Sequence, residues 1–267
     1  MTISASALLV ISLVAGCGGS DGESEPMDTD APSESNAPGE SDDRNDLAEP
    51  DEPDQPTEAD VPVQDVAADA AAAEASLLTL SDFPAGWSEV PAEDEDDSFE
   101  EMNERQRECL GTDADVLNEE VEARTGDFTN PDDDSAVTQV VSLAPSVEMA
   151  EAYMAGGSAD GVAACLTAVY REGFAEAVKD AEEMRGAELG EITVGALNVG
   201  EVGEESFAYR VTVPVSIQGF TVDIVADLVA VRVGRSVSGL TFRAQFDPTP
   251  TERITEYSAL AASRLPG

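Results

Sequence analysis

In the closing quarter of the chain, apolar residues fall at every second position. Phe207, Tyr209, Val211, Val213, Val215 and Ile217 alternate with Ser206, Ala208, Arg210, Thr212, Pro214 and Ser216. A period of two is strand geometry with one buried and one wet face. Pro214 has no N–H to give to a ladder and predicts an edge or a bulge. A tight turn at Gln218-Gly219 leads into Phe220, Val222, Ile224, Ala226 and Leu228, with Asp223 and Asp227 on the opposite side. Another turn near Gly234-Arg235 opens a third strand, Ser236 to Phe246. Three hairpin-linked strands in succession predict an antiparallel meander.

Upstream the period is helical. Pro145-Ser146 opens a helix through Met154 that Gly156-Gly157 stops, and a longer one runs from about Ala159 to Ala181. In the second, Val162, Cys165, Leu166 and Val169 share a stripe that continues to Phe174 and Val178, with Gly173 as a candidate bend. Ser98 to Leu110 begins with the capping-box pair Ser98 and Glu101, ends at Gly111, and carries Met102, Cys109 and Leu110. Ser135 to Ala144 is β-branched and strand-like. At the C-terminus Thr249 and Glu252 form a second capping box around Pro250, followed by a stripe of Ile254, Tyr257, Ala261 and Leu265. This order of elements predicts an α+β domain: an antiparallel sheet of about five strands, helices packed on one face, the second face partly open.

The pattern vanishes towards the N-terminus. Residues 17–76 hold 19 acidic side chains against Arg44 alone, seven prolines and no aromatic residue. Such a segment buries too little apolar surface to offset its chain entropy, so a disordered acidic linker is expected. As a coil, 60 residues reach on the order of 40 Å. Its alanine-rich end, "VAADAAAAEAS", is expected to be transiently helical. The expected organisation is therefore a leader over 1–16, a tether over 17–76 and one domain over 77–267. A formal charge of −44 excludes nucleic acid as a partner and disfavours an anionic membrane surface. The acidic runs at residues 93–101 and 132–134 lack the Asp-x-Asp-x-Asp-Gly spacing of a calcium loop, so they read as solvated loops with no metal assigned.

Ahead of Cys17 runs "ASALLVISLVA", about 11 residues, the length of a signal-peptide core and too short to span a bilayer. Val14-Ala15-Gly16-Cys17 resembles the bacterial lipobox, although the preceding "MTIS" contributes no Lys or Arg. The resemblance implies that the Cys17 thiol receives a diacylglyceryl group, that cleavage precedes it, and that Cys17 becomes the mature N-terminus. The expected location is then the extracytoplasmic face of the cell membrane, with the lipid bilayer as a partner through Cys17. Two cysteines remain, Cys109 and Cys165. In an oxidising compartment an even remainder reads as one disulfide, with two buried free thiols as the alternative.

"LSDFPAGW" (residues 80–87) resembles the Leu-Asp-hydrophobic-Pro-x-Gly-Trp opening of many secreted domains from high-GC Gram-positive bacteria. Its Trp87 is expected to pack the chain's entry onto the core, the other reading being a ligand-site wall. The order of elements, the helix-linking cysteine pair and the lipoprotein context are similar to the extracellular sensor domains of some bacterial receptor kinases. The absence of histidine removes Ser-His-Asp and Cys-His nucleophiles and imidazole metal sites, and no glycine-rich phosphate loop follows a strand. No cofactor is expected. The leading expectation is a non-catalytic, anchored module that binds an envelope ligand or protein partner of unknown identity. The alternatives are a structural or cation-binding polyanion and a carboxylate-based hydrolase, the last supported only by the abundance of acids.

Overall fold

The computed structural model describes residues 65–91, 102, 105–110, 121–132, 134–180 and 186–267. Leader, Cys17 and most of the tether lie outside the described residues, as do Ser98, Glu101 and the acidic run at 93–101.

The sheet has nine strands rather than about five: β1 Ser88–Val90, β2 Glu122–Arg124, β3 Asp127–Asn130, β4 Ser135–Leu143, β5 Glu188–Leu189, β6 Thr193–Ala196, β7 Glu205–Ile217, β8 Phe220–Val233 and β9 Ser236–Gln245. Their order is β1-β3-β4-β9-β8-β7-β5, with β2 also on β4 and β6 also on β7, and every pairing is antiparallel. The expected meander is β7, β8 and β9. The additional strands are two to four residues long, too short to display a period of two. Gln218 and Gly219 both take positive φ, 53° and 85°, the geometry of a two-residue hairpin turn. Pro214 sits where β7's outer ladder is interrupted, between the residues paired to β5 and those paired to β6.

The helices cover both faces of the sheet, a second correction. They are α1 Val66–Ala75, α2 Val147–Gly157, α3 Val162–Asp180 and α4 Thr251–Arg264; residues 105–109 are also helical. On one face α3 packs Leu166, Tyr170 and Phe174 against Val211, Val213 and Ala226, while α2 packs Ala150 and Met154 against Ala230 and Val237. On the other, α4 packs Ile254, Tyr257 and Ala261 against Val229, Leu240 and Phe242, and α1 packs Ala73 against Val141 and Leu143. The reason lies in β8. Ile224, Ala226 and Leu228 face α3, but Val225, Val229 and Val231, at the alternate positions of the same strand, are apolar too, and they are buried on the opposite face. Asp227, which suggests a wet face, is 1% exposed and held by Arg210 directly across the ladder, through Nε–Oδ1 at 2.6 Å and Nη2–Oδ2 at 2.9 Å.

Among the described residues, α1, which precedes residue 77, already packs on the sheet. Asp65 caps this helix by accepting from the Ala68 N–H, and Asp69 is paired with Arg235 of the β8–β9 turn. Just beyond it, buried Gln139 accepts from the Leu78 N–H at 2.6 Å and donates to Ser238 Oγ at 3.0 Å, so the entering chain is bonded to the sheet. Trp87 stacks on Phe83 at 4.8 Å, and Phe83 touches Phe128 and Tyr257, an aromatic cluster that closes this face. The helix α4 starts one residue later than its capping box suggests, because the Thr249 carbonyl accepts from Arg210. Gly173 does not break α3. A β-carbon there would lie 2.6 Å from Met102 Sδ, so the glycine admits close packing.

Candidate functional site

On the face covered by α2 and α3, the segment 102–110 runs antiparallel along α3. Met102 meets Gly173, Arg105 Nη1 bonds Glu172 Oε2 at 2.5 Å, Tyr170 Oη donates to Gln106 Oε1 at 3.1 Å, and Cys109 forms a disulfide with Cys165. The two cysteines join the segment to the N-terminal half of α3 through a loop with a sequence separation of 56. Such a crosslink stabilises by about 4 kcal/mol in the chain-entropy account.

Where this stapled pair, α2 and the sheet converge lies a partly open recess of about 60 Å³. Its apolar walls are Leu110, Leu166, Phe207, Leu228 and Ala230; its polar atoms come from Gln106, Tyr153, Tyr209 and Thr241. Alternation along the ladder sets the floor, since Tyr209, Leu228 and Thr241 are register partners and face the same side. Local packing fixes the rim. Tyr209 Oη donates to the Gly157 carbonyl at 2.8 Å, and a β-carbon at Gly157 would collide with the Phe207 ring at 2.2 Å. A side chain at Gly157, where α2 ends against β7, would therefore force the Phe207 ring to move.

The recess is electrically quiet. None of its described lining residues is Asp, Glu, Lys or Arg, in a chain with 57 acidic residues. Burial pushes the Tyr209 phenol upward, and pushes Tyr170 behind it further still, so both stay protonated at neutral pH. Thr241 is 7% exposed, and its hydroxyl has no hydrogen-bond partner among the described residues; the Gln106 amide nitrogen has none either.

Cys109 and Cys165 thus stand beside the recess, whereas Cys17 lies outside the described residues. Sequence reasoning missed Gln106, Phe207, Tyr209 and Thr241 as a group. Phe207 and Tyr209 were visible only as core strand residues, and nothing in their spacing points to Thr241. Trp87 lies on the opposite face within the aromatic cluster. Among the described residues no three His, Cys, Asp or Glu side chains come together as a metal site, and no helix is long and apolar enough to cross a membrane.

No protein-family model matches the chain, and no curated protein matches it. Among solved structures, a weak neighbour is the extracellular domain of PknH from Mycobacterium tuberculosis. It has a TM-score of 0.32 and 9% identity, and the match covers 60% of this chain and 69% of that one. A likeness of this size carries no argument about ligand or activity.

Proposed function

We propose that the protein is an extracytoplasmic, non-catalytic binding module, lipid-anchored through Cys17 and held beyond an acidic tether, that takes an envelope ligand into the recess between its sheet and the stapled helical pair. The observation that carries this reading is the recess itself, with apolar walls, hydroxyl- and amide-bearing residues in its lining and a crosslink beside it. Ligand sites characteristically combine a concave apolar surface with a few placed polar groups. At about 60 Å³ it receives part of a ligand, the rest lying outside. The lipobox-like run before Cys17 supports the anchor, and the absence of histidine from the sequence supports the non-catalytic assignment.

Native mass spectrometry of the full chain equilibrated with a complete envelope extract tests the binding reading. A retained ligand mass accompanied by a raised melting temperature is expected. No retained mass and no shift would count against it. The anchor is read from the mass of membrane-derived protein, expected to begin at an acylated Cys17; an unmodified Met1 would remove it.

A further inference from the structure

The composition of the recess restricts what enters it. We propose that it accepts the neutral, branched aliphatic end of a ligand bearing one oxygen, with that oxygen bonded by Thr241 and Gln106; this rests on the binding function proposed above. Three observations carry it. The volume, about 60 Å³, is under half of the roughly 150 Å³ that holds one benzene ring in an apolar protein cavity, which limits the guest to a few heavy atoms. The described lining offers no counter-charge to a carboxylate or an ammonium, and an ion buried without a partner is strongly disfavoured. Two polar groups that line the recess, the Thr241 hydroxyl and the Gln106 amide nitrogen, have no hydrogen-bond partner among the described residues, and each can donate. Two donors lining one small recess suit an acceptor oxygen, a hydroxyl or a carbonyl, on an otherwise apolar group.

Gly239 gives the means of testing this without damaging the fold. It pairs with Ala230 across the ladder and lies two residues before Thr241, on the same face. A β-carbon at Gly239 meets nothing within 4 Å. A larger side chain there enters open space beside the recess, and replacing glycine within a strand favours the strand.

The experiment titrates the methyl-labelled full chain with isobutanol, and in parallel with its charged counterparts isobutyrate and isobutylamine, following the methyl resonances of Leu166 and Leu228. Isobutanol is expected to give saturable shifts and the two ions none. Thr241→Val, which keeps the shape and removes the hydroxyl, should weaken isobutanol by about three- to tenfold, the worth of one hydrogen bond. Gly239→Leu should abolish the shifts while raising the melting temperature. Equal binding of either ion, or unchanged affinity in Gly239→Leu, would overturn the proposal. If isobutanol fails but a ligand retained from envelope extract is lost in Gly239→Leu, the neutral-end inference is wrong and the recess remains the site. If that variant keeps the extract ligand, the recess reading falls as well.

Discussion

The two faces of the sheet are built from the same strands and packed in different ways. The α1/α4 face is filled with large rings: Phe83, Phe128, Phe242 and Tyr257 lie within 4.5–6.3 Å of one another in successive contacts, with Trp87 stacked on Phe83. Its buried Asp227 is matched across the ladder by Arg210. The α2/α3 face presents small residues at the centre of the sheet, Ala226, Ala230 and Gly239, and a recess lies over Ala230. There a covalent staple stands in for part of the missing packing. One face is closed by stacked rings, whereas the other, though it also holds a buried cluster, keeps the recess to which ligand binding is proposed.

The largest effect expected from breaking this contrast is at Phe242, which is 1% exposed. Phe242→Ala should cost about 3–5 kcal/mol in urea unfolding, whereas Leu166→Ala, equally buried but a smaller side chain lining the recess, should cost nearer 2. Equal costs would mean that the two faces are packed alike. Next comes the staple. Replacing Cys109 and Cys165 together by Ser should remove about 2–4 kcal/mol and loosen the segment 102–110. Amide exchange should quicken there and stay unchanged at Phe128 and Phe242; uniform acceleration would contradict the separation of the faces.

Arg210→Ala gives a smaller loss, about 2 kcal/mol, because Arg210 is itself partly exposed while Asp227 is not. The pH dependence follows from Asp227. Burial raises its carboxyl above the ordinary value, and Arg210 pulls it only part of the way back. A carboxyl raised in the folded state destabilises when ionised, and that cost fades as pH falls through the raised value towards the unfolded one. The stability deficit of Arg210→Ala is therefore greatest at neutral pH and shrinks in acid. A deficit that stays constant or grows on acidification would show that Arg210 does not favour the ionised Asp227 carboxylate, contradicting the pairing.

How much of this was legible in the sequence differs along the chain. The meander was, because β7 holds six alternating apolar residues and the next two strands, β8 and β9, each follow after a tight turn. The helices α2, α3 and α4 were, from stripes and caps. The second helical layer was not. In "IVADLVAV" (224–231) both parities are apolar, and Asp227 imitates a solvent face until Arg210, seventeen residues earlier, is placed opposite it. The helix α1 reads as the end of a tether because its alanines define no stripe, and its anchor Arg235 lies 166 residues from Asp69. The recess left no signal because it is made of what is missing. Gly239 and Ala230 matter through their small size, and Thr241 matters through a hydroxyl that bonds to nothing described.

The division between faces is tested most directly by mapping where isobutanol acts on the whole molecule in one methyl-resolved spectrum. Shifts should be confined to Leu166, Leu228 and Ala230, with Leu78, Ile254 and Ala261 on the opposite face unmoved. Shifts centred on the Ile254 and Ala261 face, or spread evenly over both, would contradict the account.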